Sequence, residues 1–187
     1  MNKLYLKNWN LRDIGDKGIF VSANVPGDIN ADLYAAGIIE NPYYGSNHQK
    51  YSWIGRTDFI YETTFGVSDE FLENEEIYLN LEGVDLFAEI YLNDVFLGKT
   101  QNMFLLYRYE VKALLRSGDN TIRVKMISTL NEMDKIDCGD YFGTFNIPRL
   151  LIRKAQCHFG WDWAPNMGGY GIWKAVYLSG ENKYRID

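Results

Sequence analysis

The sequence predicts an all-β sandwich, and three observations indicate this fold class. Several segments alternate between apolar and polar residues with a period of two, which is the pattern of half-buried strands. Turn-forming residues separate these segments at short and regular spacing. Helical patterns are few and short, so helices cannot organise the fold. Aromatic residues make up 16% of the chain, which fits the sandwich because aromatic side chains favour strands.

The first elements along the chain are a short helix and a strand. Residues 27–37 carry a helical pattern of two to three turns. Asp28 is the expected N-terminal capping residue and Gly37 the expected stop, because these residue types satisfy or end the free backbone groups of a helix. Residues 59–67, FIYETTFGV, then predict a strand.

The clearest strand pattern lies in residues 75–99. The segment 75–84 alternates, and the segment 86–99 alternates up to a central turn that leads into the apolar residues 95–97. Asn93 and Asp94 form that turn, because both residue types tolerate the left-handed backbone of a tight hairpin. The side chains that are predicted to share the inward faces are Ile77, Leu79, Leu81, Ala88, Ile90 and Leu92.

The second half of the chain repeats the strand pattern and contains one irregular segment. Residues 120–128 follow a Ser-Gly-Asp-Asn turn, and residues 171–180 predict a final strand. The segment 110–118, which precedes the strand at 120–128, predicts about one helical turn that ends at Gly118. Residues 131–148 are rich in Asp and Gly and predict an irregular loop inside one domain. The inward residues of the 120–128 strand are Ile122, Val124 and Met126.

Charge and composition exclude several classes of partner. The net charge is −6 and the longest basic run is Arg153-Lys154, so the clustered basic surface that nucleic acids require is missing. No apolar stretch approaches the roughly 20 residues that span a bilayer. The first eighteen residues lack the uninterrupted apolar segment of a signal peptide. We therefore expect no nucleic-acid partner, no membrane partner and a cytoplasmic location.

No catalytic or metal-binding motif stands out from the residues. Cys138 and Cys157 are too few for a disulfide scaffold. His48 and His158 are far apart and lack the spacing of metal ligands. There is no nucleophile elbow and no phosphate-binding glycine loop, and the spacing of the 25 carboxylates marks out no acid–base pair. We expect no metal, no cofactor and no catalytic residue in this chain.

The stretch RKAQCHFGWDWAP, residues 153–165, has the most unusual local composition. On a regular strand, Phe159, Trp161 and Trp163 would share one face, with Asp162 on the other. One interpretation buries the aromatic residues and leaves Asp162 in water. The other lets Trp161 offer its ring face to a sugar while Asp162 accepts hydrogen bonds from the hydroxyls, a task that suits a carboxylate. The residues alone favour burial, because buried aromatic residues are commoner than ligand platforms.

The same stretch, with GIWKAVYL at 171–178, resembles the end of the N-terminal domain of β-mannosidases in glycoside hydrolase family 2. Three upstream segments resemble that family in the same order: 25–45 (VPGDINADLYAAGIIENPYYG), 53–65 (WIGRTDFIYETTF) and 81–111 (LEGVDLFAEIYLNDVFLGKTQNMFLLYRYEV). The resemblance covers about residues 9–180. Conservative departures from the family pattern occur at Phe59, Leu106, Tyr109 and Glu110.

The resemblance implies a jelly-roll β-sandwich, galactose-binding-domain-like, with one or two short helices. We expect residues 1–187 to form this single sugar-binding domain. Enzymes of the family continue into an immunoglobulin-like domain and a TIM barrel that carries both catalytic glutamates, and we expect the chain to be a fragment without these two domains. It is therefore expected to hydrolyse nothing by itself.

The resemblance also implies roles for individual residues. The HFGWDW segment is expected to lean over the mouth of the barrel and help form the subsite for the terminal mannose. Trp161 would be part of the wall and Asp162 would bond sugar hydroxyls. Arg153, His158 and Trp163 match the motif and are expected as supporting residues. Phe159 and Trp163 are expected to pack in the core.

The resemblance favours the accessory domain of a retaining exo-β-mannosidase, which hydrolyses terminal β-D-mannose residues. Its expected partners are a β-mannoside or other carbohydrate and the TIM barrel of the same polypeptide. Three alternatives stay open at this point. They are a free-standing carbohydrate-binding module, the same domain of a β-galactosidase or β-glucuronidase, and a purely structural or protein-interaction sandwich whose aromatic cluster is buried.

Overall fold

The computed structural model describes residues 2–140 and 147–182. Residues 141–146, part of the predicted irregular loop, lie outside the described residues. The strands are Asn2–Tyr5 (β1), Trp9–Asp13 (β2), Phe20–Ala23 (β3), Phe59–Val67 (β4), Glu76–Leu81 (β5), Val84–Asp85 (β6), Ala88–Leu92 (β7), Val95–Thr100 (β8), Tyr107–Glu110 (β9), Gly118–Met126 (β10), Gly171–Ile172 (β11) and Val176–Glu181 (β12). The α-helices are Ile29–Ala35 (α1), Asn47–Lys50 (α2), Asp69–Leu72 (α3) and Thr129–Met133 (α4). The 3₁₀-helices are Ile54–Arg56, Lys112–Leu114, Ile147–Leu151 and Gln156–Phe159.

Two antiparallel sheets carry most of the described strands. One has the order β1-β12-β5-β9 and the other the order β3-β2-β4-β10-β7-β8. A third, two-stranded sheet pairs β11 with β6. Buried apolar side chains from both large sheets form one continuous core, because each sheet turns one apolar face inward. The predicted all-β sandwich is confirmed.

The alternating patterns correspond to the strands that the sequence predicted. The inward residues predicted for β5, β7 and β10 are all buried, and their alternate neighbours in β7 and β10 are only partly covered. The turn between β7 and β8 has Asn93 at φ 47° and Asp94 at φ 66°, which is the left-handed geometry expected of a two-residue hairpin. The Asn93 side chain also donates a hydrogen bond of 2.8 Å to the carbonyl of Leu114, so this turn is tied to the rest of the fold.

The helices match the prediction at α1 and differ in part elsewhere. Asp28 accepts a hydrogen bond from the backbone N–H of Ala31 at 3.1 Å, and Gly37 has φ 71°, as a cap and a stop require. The other three α-helices in the described residues have four or five residues each, too short to display a helical period. The helix α4 begins just before the segment that was predicted to be irregular throughout. The single turn predicted in residues 110–118 is present as the 3₁₀-helix Lys112–Leu114, but Gly118 opens β10 instead of ending that turn.

A second, smaller apolar cluster lies beside the main core. Its buried members are Leu86, Met103, Met133 and Ile152. Phe159 and Trp173 pack against it from the 153–173 part of the chain. This cluster anchors the segment that carries the candidate site onto the sandwich.

Two buried phenols predict how stability changes at alkaline pH. Tyr61 donates a hydrogen bond of 3.0 Å to Asp32, and Tyr170 donates one to the carbonyl of Thr57. Burial raises the pKa of both phenols above the usual 10.0. Because the folded pKa is raised, the stabilisation is fully present below the unfolded pKa of 10.0 and is lost as the pH rises above it. Each phenol should lower the free energy of unfolding by about 1.4 kcal/mol per pH unit there.

Tyr170→Phe should remove one of these two contributions. Above pH 10 the free energy of unfolding of the variant should fall less steeply than that of the wild type, by about 1.4 kcal/mol per pH unit. Guanidinium chloride unfolding at several pH values measures both slopes. Their difference gives the contribution of the Tyr170 phenol alone, because other groups that titrate in the same pH range contribute equally to both proteins. Parallel curves would contradict the prediction.

Candidate functional site

The segment that carries the predicted site residues is a turn and not a strand. The 3₁₀-helix Gln156–Phe159 ends at Gly160, whose φ of 88° reverses the chain. The N–H of Trp161 then donates to the carbonyl of Ala164 at 2.8 Å, and the N–H of Ala164 donates back at 3.2 Å. These reciprocal bonds close a tight turn with Asp162 and Trp163 at its tip. We call residues 156–165 the aromatic loop.

This geometry corrects the expected arrangement of the aromatic side chains. Trp163 is 72% exposed, so its predicted place in the core is wrong. The reason is the turn, which removes the period-two alternation that would have placed Trp163 on the same face as Phe159. Phe159 itself is partly buried against the small apolar cluster. Trp161 is 46% exposed, and the Arg149 guanidinium carbon lies 5.7 Å from its ring centroid.

Asp162 and His158 are both exposed, but only His158 lines the main cleft of the described structure. Asp162 lies at the tip of the turn with its side chain in solvent. Arg153 lies on a separate groove beside Asn102 and Glu132, and its carbonyl accepts a hydrogen bond of 3.0 Å from the N–H of Met103. The structure therefore brings His158 and Trp163 together and leaves Arg153 apart from them.

The main cleft lies between the aromatic loop and the start of α1, and its volume is about 840 Å³. Ligand pockets in proteins commonly have about 300–1,000 Å³. Exposed aromatic rings of Tyr43, Phe104 and Trp163 form its walls. Asn30 and His158 add polar groups. The cleft thus combines apolar ring faces with a few hydrogen-bonding groups, as sites for small polar ligands do.

A buried ion pair lies at the floor of the cleft. The Lys154 ammonium donates to Oδ2 of Asp85 and, at 2.8 Å, to the carbonyl of Gly169. The two charged side chains are 1% and 5% exposed. Burial lowers the pKa of Lys154, and the carboxylate of Asp85 offsets part of that effect. His158 Nδ1 lies 3.3 Å from the same Oδ2, whereas Oδ1 of Asp85 is buried without a partner among the described residues.

The sequence interpretation missed Asp85 and Lys154. In the sequence, Lys154 forms a basic pair with Arg153, and such side chains are usually exposed to solvent. Asp85 interrupts an otherwise apolar run between Val84 and Leu86, and all three residues are buried. A charged residue inside a buried run was the available signal, because such a residue needs a partner.

The described residues show neither a disulfide bond nor a group of side chains that could hold a metal ion. Cys138 and Cys157 are free thiols. Over residues 2–140 and 147–182, no three His, Cys, Asp or Glu side chains are grouped so that they could hold a metal ion. No described helix has the length and apolar character needed to cross a membrane.

The two-sheet sandwich and its aromatic cleft define a galactose-binding-like β-sandwich domain. Residues 9–174 match the family of glycosyl hydrolase 2 galactose-binding domain-like proteins. The chain belongs to this family. The jelly-roll sandwich that the resemblance implied is thereby confirmed.

The proteins to which the chain is similar include β-mannosidases, as the resemblance implied. The chain is 31% identical to the β-mannosidase of Mus musculus, over 92% of this chain and 21% of the relative. It is 34% identical to a probable β-mannosidase of Caenorhabditis elegans, over 92% and 20%. The crystal structure of the β-D-mannosidase from Dictyoglomus thermophilum superposes with a TM-score of 0.88 at 39% identity, covering 98% of this chain and 23% of that one. The chain spans about a fifth of the length of the curated relatives it matches.

Proposed function

We propose that the chain is the accessory sugar-binding domain of a retaining exo-β-mannosidase, an enzyme that releases terminal β-D-mannose. The observation that carries the proposal is the aromatic loop, which presents Trp161 and Asp162 to solvent on a turn closed by two backbone hydrogen bonds. In this proposal a catalytic barrel of the same polypeptide supplies the glutamates, and the loop completes the subsite for the terminal mannose.

The two side chains suit complementary parts of a sugar. The ring of Trp161 offers an apolar face, on which the C–H groups of a pyranose can pack. The carboxylate of Asp162 accepts hydrogen bonds on both oxygens, and charge-assisted bonds to hydroxyls are stronger than neutral ones. His158 and Trp163 line the cleft beside these two residues, whereas Arg153 lies in a separate groove.

The alternatives that the sequence left open have unequal support. A structural or interaction sandwich required a buried aromatic cluster, and Trp161 and Trp163 are exposed instead. A β-galactosidase or β-glucuronidase origin has less support, because the relatives described above are β-mannosidases. A free-standing carbohydrate-binding module is the second candidate, favoured by the open aromatic cleft. The cytoplasmic location stays a prediction.

The proposal is tested on the native product. An antibody against this domain should detect, in the source cells, a polypeptide several times heavier than 21.7 kDa. The polypeptide that the antibody immunoprecipitates should hydrolyse p-nitrophenyl β-D-mannoside. A product of 21.7 kDa that does not hydrolyse this substrate would contradict the accessory-domain proposal and favour the free-standing carbohydrate-binding module.

Substitution of Asp162 provides the test at the residue level. In the native enzyme, Asp162→Ala should lower kcat/KM for the aryl mannoside about 10–100-fold, because it removes a charge-assisted hydrogen bond worth about 1.5–3 kcal/mol. Asp69→Ala is the matched control: this carboxylate is also exposed, but it lies on α3, and the variant should keep its activity within about twofold. Equal activities of the two variants would contradict the role of Asp162.

A further inference from the structure

We propose that the cleft beside the aromatic loop binds a second pyranose ring, stacked between Tyr43 and Trp163 and hydrogen-bonded by His158. The proposal rests on the proposed function only for the choice of a mannose-configured sugar. The cleft and its polar groups carry the rest.

The walls of the cleft have the form of a sugar platform. Tyr43 and Trp163 are 71% and 72% exposed, and both line the cleft although they are 120 positions apart in the sequence. Each exposed ring keeps an apolar face in water that a ligand can cover. Flat aromatic faces match the C–H surface of a pyranose, whose hydroxyls then point to the rim.

His158 supplies a hydrogen-bond acceptor with a defined orientation. Its Nδ1 lies 3.3 Å from the Asp85 carboxylate, which accepts and does not donate. A neutral imidazole therefore carries its proton on Nδ1 and keeps a lone pair on Nε2. Nε2 has no hydrogen-bond partner among the described residues, and the side chain is 41% exposed where it lines the cleft. A ligand hydroxyl can donate to it.

Asp85 and Lys154 are positioning residues in this proposal. The ammonium of Lys154 shares Oδ2 of Asp85 with His158, and the pair is sealed beneath the cleft. A carboxylate held in this way fixes both the tautomer and the ring plane of the histidine. Neither of the two charged groups needs to touch the sugar.

The chemistry of the cleft favours a neutral polyol over an anion. The carboxylate of Asp28 lines the cleft, whereas the charges of Asp85 and Lys154 offset each other in their buried pair. Asp28 and Nε2 of His158 are acceptors, which suits hydroxyl donors, and the negative charge of Asp28 repels phosphate or carboxylate ligands. Because Trp163 follows Asp162 directly at the tip of the turn, a disaccharide can contact both residues. The inferred ligand class is a short oligosaccharide.

The test is an NMR titration of the 187-residue chain with mannobiose. Saturable binding with a Kd of about 1–10 mM is expected. Tyr43→Ala should weaken it about tenfold, whereas Tyr44→Ala should leave it within about twofold. The two tyrosines are neighbours and similarly exposed, but Tyr44 at 77% does not line the cleft. Because both side chains lie in solvent, both variants should fold.

The roles of His158 and Asp85 are tested by separate measurements. His158→Ala should weaken mannobiose about fivefold, as the loss of one neutral hydrogen bond implies. Imidazole nitrogen NMR shifts should report the Nδ1-protonated tautomer in the wild type, and Asp85→Asn should shift that equilibrium towards Nε2. A merely structural Asp85 would leave the tautomer unchanged.

The outcomes separate this proposal from the accessory-domain proposal. No saturable binding of mannobiose or cellobiose up to about 50 mM would overturn the cleft proposal, as would equal losses in the Tyr43 and Tyr44 variants. Hydrolysis by the native product would be untouched by that failure. Binding of cellobiose but not mannobiose, with the same dependence on Tyr43, would support the cleft and count against the mannose configuration.

Discussion

Lys154→Met should lower the free energy of unfolding by about 3–5 kcal/mol, the cost of breaking a buried ion pair by removing one partner. Methionine has a similar length and fills the same space, so the loss is electrostatic. The carboxylate of Asp85 would stay buried, and among the described residues only the partly exposed His158 would still pair with it. The carbonyl of Gly169 would also lose its donor at 2.8 Å.

Urea unfolding of the wild type and the variant measures this effect. Lys135→Met is the matched control, because its ammonium is 68% exposed in an ion pair with Glu132, and its unfolding free energy should change by less than about 0.5 kcal/mol. The double variant Lys154→Met, Asp85→Leu should recover most of the loss, since it leaves no unpaired charge. A Lys154→Met variant as stable as the control would show that the pair contributes nothing.

Gly160→Ala should destabilise the aromatic loop by about 1–3 kcal/mol. Gly160 has φ 88° and ψ 145°, a region that is nearly exclusive to glycine. An added Cβ would also lie 3.0 Å from the Cβ of Asn166. The variant can relieve the strain only by moving the chain that leads to Asp162, so the exposure of Trp161 and Trp163 should change too.

Chemical unfolding combined with acrylamide quenching of tryptophan fluorescence checks both parts. Gly66→Ala is the control for the substitution itself, because its Cβ would meet nothing within 4 Å and its φ lies outside the left-handed region. That variant should be neutral or stabilised by up to about 1 kcal/mol. If Gly160→Ala matched it in stability and in quenching, the backbone of the loop would not depend on glycine.

The strands could be predicted because their determinants are local. Alternation in β5, β7 and β10 needs only neighbouring residues, and the hairpin turn at Asn93 needs only two tolerant side chains. The short helices α2, α3 and α4 were not predicted, since four or five residues cannot show a period. Their ends are set by caps such as Ser68 and by contacts that are distant in sequence.

The site was predictable only in part. The aromatic stretch drew attention to Trp161 and Asp162 through its composition and its resemblance. The side on which Trp163 lies depends on the backbone of Gly160, and a strand period gave the wrong answer there. The apolar neighbours of Asp85 indicate its burial, but its partner Lys154 is 69 positions away, so nothing local in the sequence joins the two.

The pairing of β1 with β12 has a consequence for synthesis on the ribosome. β12 occupies an inner position between β1 and β5, and Asn2 pairs with Gly180. At about 5–20 residues per second, the N-terminal strand waits roughly 10–40 s for a partner that is among the last described residues to be made. During that interval β1 and one side of β5 are open edges, which attract chaperones and other nascent chains. This sheet therefore closes in one late step, when translation of the domain is nearly complete.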